Sequence, residues 1–148
     1  MSPVHRSRLL ARLSVAVVVL AIVGMLVGCG RSGTPGGGDG GVRFQVVAAE
    51  NFWGSIAAQL GGDRVEVSSI IVNPSTDPHS YEPSAADART MAGARLAIVN
   101  GIGYDNWAPK LLAASPLAGR EVLNVGRLLG LKEGDNPHQW YSPASVQR

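Results

Sequence analysis

At 148 residues the chain has room for one sizeable domain and too little for two. Its formal charge of +2 hides an asymmetry: of 13 Lys and Arg residues, Arg6, Arg8 and Arg12 sit near the start, leaving ten against eleven acids from Cys29 onward. A near-neutral remainder without a basic cluster argues against nucleic acid as a partner, and a single cysteine excludes an internal disulfide.

The first twelve residues carry His5 and three arginines and no acid; Leu13 to Val27 then run fifteen residues without a charge. As a helix at about 1.5 Å per residue, that run is short for a bilayer core of roughly 30 Å. A basic start, a short apolar run and small residues at its end predict a secretory signal over residues 1–28. Leu26-Val27-Gly28-Cys29 resembles the bacterial lipoprotein cleavage box, which implies that Cys29 becomes the acylated first residue and anchors the chain to the lipid bilayer. Each buried acyl CH2 contributes about 0.8 kcal/mol to such an anchor. Gly30 to Gly41 holds seven glycines in twelve residues, so residues 29–42 are expected to form a flexible tether reaching about 19 Å by random-coil scaling.

The folded part is expected over residues 43–148. Phe44 to Ala49 is a short apolar run that predicts a buried strand. Asn51 is the expected cap of a helix with Phe52, Ile56 and Leu60 on one face, ended by Gly61-Gly62-Asp63. Val65 to Val72 is rich in β-branched residues and predicts a second strand. Asn73 to Pro83 carries three prolines and must be a loop. Ser84-Ala85-Ala86-Asp87 forms a capping box for a helix running to about Gly93. Leu96 to Asn100 is a third strand. Asp105 is the expected cap of a helix through about Ala114, with Pro109 near its first turn, where a missing N–H is tolerated. Glu121 to Asn124 is a fourth strand. Strands alternating with helices at this spacing predict an α/β fold with a parallel sheet flanked by helices.

In such sheets ligands bind beyond the carboxyl ends of the strands. His79 lies in the loop leaving the second strand and His138 in the loop after the fourth, so both are expected on one rim. Outside the leader they are the only imidazoles of the chain. Each stands in an Asp/Asn-Pro-His setting, Asp77-Pro78-His79 and Asn136-Pro137-His138. Proline fixes one backbone dihedral ahead of the ring and steers its predecessor away from helix. Neutral imidazole is a good ligand for transition metals, and a bound ring usually donates its other N–H to a carboxylate or carbonyl. Asp77, Glu82 and Asp135 are the candidate partners, with Trp140 as a wall of the loop. A hydrogen-bonded loop histidine is the competing reading of either residue alone. Two imidazoles are also fewer than the three or four donors of a zinc site. Glu50, ending the first strand, either joins the rim or starts a helix. Trp53 and Trp107 fall on helices and are read as core.

Four stretches then carry a family resemblance: Ala48-Ala49-Glu50-Asn51-Phe52-Trp53-Gly54, Asp77-Pro78-His79-Ser80-Tyr81-Glu82-Pro83, Val99-Asn100-Gly101-Ile102-Gly103 and Asn136-Pro137-His138-Gln139-Trp140. From about Arg43 to the end the chain resembles the zinc/manganese solute-binding lipoproteins of bacterial ABC transporters, with the motifs in the family's order. The resemblance implies that His79 and His138 are metal ligands from the amino-terminal lobe. It also implies that the ion, Zn2+ or Mn2+, sits between two α/β lobes bridged by a long helix, and that the partner is a membrane permease. The chain departs from the pattern in ending at Arg148, about where the bridging helix is expected, so the second lobe is expected to be absent. Ser142 stands where the family often has Asp, and no histidine-rich loop precedes His138. The reading is an extracytoplasmic, lipid-anchored binding protein rather than an enzyme. The competing readings are a secreted metallohydrolase using a metal-bound water, and a metal-free surface or adhesion lipoprotein.

Overall fold

The computed structural model describes residues 42–148. The expected signal peptide, Cys29 and the expected tether up to residue 41 lie outside the described residues.

Four strands form one sheet: β1 (Phe44–Glu50), β2 (Val65–Ile71), β3 (Leu96–Val99) and β4 (Glu121–Asn124). Their order is β2-β1-β3-β4, and every neighbouring pair is parallel. The connecting helices are α1 (Asn51–Gly61), α2 (Ala85–Ala92) and α3 (Trp107–Ala114), followed by single turns α4 (Val125–Leu128) and α5 (Pro143–Val146). The expected α/β architecture is therefore the one observed, with element ends within one or two residues of expectation.

Strand alternation sorts the core into two layers. Val47, Ala49, Ala97 and Val99 face Met91 of α2 and Trp107 and Ala108 of α3. Val46, Ala48 and Ile98 face Trp53 of α1 and Val125. Met91 is fully buried, and burying a side chain of that size contributes about 1.5–3 kcal/mol. On the α1 side an apolar groove of about 480 Å³ remains open, walled in part by Phe44, Leu60, Leu96, Leu123, Leu128 and Val146.

Helix ends show which local signals held. Ser84 accepts from the Asp87 amide while the Asp87 carboxylate accepts from the Ser84 amide, so the capping box is present. Pro109 lies in the first turn of α3. Two expectations are corrected. Asn51 is the first residue of α1, with Glu50 in the cap position and no side-chain cap bond. Asp105 does not cap α3; Asn106 precedes that helix without a cap bond. The Asp105 carboxylate instead accepts the amides of Asn100 and Gly101 at 2.7 and 2.8 Å. Two strong amide donors at the end of β3 outcompete a helix start two residues away.

The strand order fixes where a ligand crevice falls. The chain leaves β1 toward β2 on one side, while β3 and β4 lie on the other. The carboxyl ends of β1 and β3 therefore flank a switch point, the usual ligand position of open α/β sheets. Glu50 ends β1 there, and Asn100 follows β3.

Candidate metal centre

The two Asp/Asn-Pro-His triplets fold into the same local unit. Asp77 Oδ1 accepts from the His79 amide at 3.0 Å and contacts His79 Nδ1 at 2.9 Å. Asn136 Oδ1 accepts from the His138 amide at 3.0 Å and contacts His138 Nδ1 at 2.8 Å. An ionised carboxylate and an amide oxygen only accept, so Nδ1 carries the proton in both rings. Nε2 is then the basic nitrogen of each imidazole, and both histidines are exposed to solvent. The proline between holds the geometry: Asp77 is extended, with ψ 114°, and Pro78 is buried. The hydrogen bond to His79 holds the Asp77 carboxyl below its ordinary value.

Tyr104 joins the two units. Its ring lies 4.8 Å, centroid to centroid, from His79 and 5.7 Å from His138, both edge-on. Burial first, then the carboxyls of Glu50 and Asp77, push its phenol up to about 12, so the ring stands as a neutral wall. Trp140 lies 5.2 Å from His138 and stacks on Phe52 of α1 at 3.8 Å. A cleft of about 380 Å³ opens here, walled by Glu50, Ile71, Thr76, Tyr104, His138 and Trp140 among others.

Tyr104 reaches this position through an unusual turn. Gly101, Ile102 and Gly103 all have positive φ, at 74°, 49° and 86°. Ile102 is the one non-glycine residue in that region among those described, and for a β-branched side chain the conformation is strained. The turn is pinned from both ends: the Tyr104 amide donates to the Gly101 carbonyl, and Asp105 holds the Asn100 and Gly101 amides.

Under the cleft sits a carboxyl pair. Glu50 is 1% exposed, and neither of its oxygens meets a donor from the surrounding protein. Burial, reinforced by the Asp105 charge, pushes it up to about 9. Burial also raises Asp105, against the two amides that favour its ionised form. With its proton kept, Glu50 lies uncharged in the same buried pocket as Asp105, whose carboxyl oxygens accept the Asn100 and Gly101 amides.

The candidate residues therefore divide. Asp77 and Trp140 stand beside the imidazoles. Asp135 accepts from the Lys132 amide instead, and the acceptor for His138 is its own neighbour Asn136. Glu82 hydrogen-bonds neither ring among the described residues. Glu50 reaches the crevice as a buried wall, without forming a group of three His, Cys, Asp or Glu donors among the described residues. Tyr104 escaped the sequence reading. Its signal was an aromatic residue directly after a Gly-x-Gly turn at a strand's carboxyl end.

The fold is a parallel α/β sheet with an imidazole in each of two loops beyond the carboxyl ends of its strands, the region where open sheets of this class hold ligands. Residues 46–148 match the family described as the periplasmic component A of the zinc-uptake complex, ZnuA, and the chain belongs to that family. It is 29% identical over 134 residues to the manganese-binding lipoprotein MntA of Halalkalibacterium halodurans, covering 88% of this chain and 44% of that protein. It is 23% identical over 150 residues to the high-affinity zinc uptake system protein ZnuA of Bacillus subtilis, covering 88% and 47%. The structure of the SBP FpvC from Pseudomonas aeruginosa in complex with Mn2+ aligns with a TM-score of 0.60 at 26% identity, covering 71% of this chain and 40% of that one. The chain thus spans less than half the length of these curated relatives.

Proposed function

We propose that the protein captures a divalent transition metal, Zn2+ or Mn2+, outside the cytoplasm for import by an ABC transporter, with His79 and His138 as ligands. The carrying observation is the repeated Asx unit: two loops far apart in sequence leave the same nitrogen, Nε2, as the basic one, and both imidazoles meet the same phenol ring edge-on. Family membership supports the metal, and the names of the relatives support zinc and manganese alike. Two imidazoles leave coordination positions for water or for donors outside the described residues. Asp77 and Asn136 fix ring orientation and tautomer, the role such partners have around bound metals.

In the same reading residues 1–28 are a signal peptide, Cys29 carries the lipid, residues 29–42 tether, and residues 43–148 are the amino-terminal metal-binding lobe. A membrane permease receives the ion. The protein breaks no bond, so affinity follows ligand geometry.

Titration of the mature chain with Zn2+ and with Mn2+ against a chromophoric chelator tests this. His79→Ala and His138→Ala should each weaken capture by at least about 10-fold, with no metal-dependent hydrolysis of esters or peptides. Unchanged affinity in both variants would overturn the assignment.

A further inference from the structure

We propose that Asn100 is a positioning residue for metal capture, a strut that sets where the His138 imidazole stands; the inference rests on the ligand reading above. Asn100 is 1% exposed and every polar atom it owns is engaged. Its amide donates to Asp105 Oδ2 at 2.7 Å, and its carbonyl accepts from the Gly126 amide at 2.9 Å. Its side-chain Oδ1 accepts from Trp53 Nε1 at 3.0 Å, and its Nδ2 donates to the Pro137 carbonyl at 3.2 Å.

The indole of Trp53 can only donate, so it decides which end of the Asn100 amide faces it. Nδ2 is thereby forced toward residue 137. The oxygen it meets belongs to the peptide group that immediately precedes His138. That oxygen also accepts the Gln139 amide at 2.8 Å, while the nitrogen of the same peptide group donates to Asn136 Oδ1. Both ends of the peptide plane that carries His138 are thus fixed. The Asn136 bond is local and moves with the loop. Among the described residues, the Asn100 bond is the only hydrogen bond joining residues 136–141 to the sheet. Among the described residues His79 has no equivalent strut: its loop is seated by buried Pro78. Asn100 therefore acts on one ligand and not the other.

That asymmetry is what the experiment reads. Zn2+ is titrated into the full mature protein while the ring signals of His79 and His138 are followed separately by NMR, beside a chelator competition for affinity. Asn100→Leu keeps the number and branching of the side-chain heavy atoms and removes both side-chain bonds. It should lower Zn2+ affinity by about 10-fold, the lower end of the effect of residues that orient metal ligands. The His79 ring should still shift with Zn2+ while the His138 ring no longer follows it. Trp53→Phe, which keeps the aromatic body but frees the Asn100 amide to turn, should show the same one-sided pattern more weakly and covers the case in which Asn100→Leu fails to fold. If both rings lose their response together, or both keep it with unchanged affinity, Asn100 is merely structural and the proposal fails. If neither ring of the unsubstituted protein responds to Zn2+, the ligand assignment itself fails instead.

Discussion

Glu50 is the residue on which burial and chemistry conflict most. A carboxyl group at the end of a central strand has lost its water and gained no donor, so it keeps its proton. The sign of the consequence follows from linkage. In the unfolded chain Glu50 titrates near its ordinary value of 4.5, and in the folded chain it titrates at about 9. Between those values the folded state holds a proton that the unfolded state has released, so stability falls as pH rises through that window and levels off above it. Glu50→Gln has no proton to lose and stays uncharged beside Asp105 at every pH. It should raise stability at pH 7–8 by on the order of 1–3 kcal/mol and flatten the decline. Urea denaturation at pH 5, 7 and 9 measures both; a variant as pH-dependent as the parent would remove Glu50 as the cause. The same scale shows what a sequence can reveal of a site. His79 and His138 stood out because each repeats one triplet, and the repeat has a physical meaning: an Asx oxygen takes both the amide and the ring nitrogen two residues on. For His138 the candidates named from the sequence were carboxylates, Asp135 among them, and the acceptor is the Asn136 amide oxygen two residues earlier. Only the folded loop shows Asp135 already engaged with Lys132.

Helices and strands were legible wherever one local signal had no rival. The capping box before α2 is an example. Ser84 and Asp87 satisfy each other's amides, and Tyr81 adds its hydroxyl to Asp87 at 2.9 Å. Ser84→Ala should lower stability by about 1 kcal/mol and weaken Zn2+ capture far less than His79→Ala, because the Tyr81–Asp87 bond still ties the His79 loop to α2. A urea transition with a parallel metal titration would show whether the two effects separate. Asp105 was misread because an Asx side chain can serve a helix start or a turn with equal local propensity, and the choice belongs to the amides that β3 presents. The turn at residues 101–103 was equally opaque. Gly101 is required there, since a Cβ would lie 2.4 Å from the Asn124 side chain at φ 74°. Ile102 at positive φ, however, is a conformation that no propensity scale assigns to a β-branched residue.

At the scale of the whole lobe, two concave surfaces compete for attention, and only one lies at the chemistry. The larger is the apolar groove along the α1 side of the sheet; the smaller is the cleft at the switch point, where the carboxyl ends of β1 and β3 bring Glu50 and Tyr104 against His138. Strand order, not size, selects the second. Metal-linked stability separates them experimentally. A ligand that binds only the folded state stabilises it by RT ln(1 + [L]/Kd), about 2.7 kcal/mol at a hundredfold excess over Kd. For a lobe of this length that corresponds to a rise in Tm on the order of 10 °C. Saturating Zn2+ should produce such a rise in the parent chain and none in a His79→Ala/His138→Ala double variant. Leu60→Glu, placed on an exposed wall of the groove, should retain the full rise, because it touches neither imidazole loop. A shift that survives loss of both histidines, or disappears with Leu60, would move the metal away from the switch point and leave the repeated Asx unit without a ligand to serve.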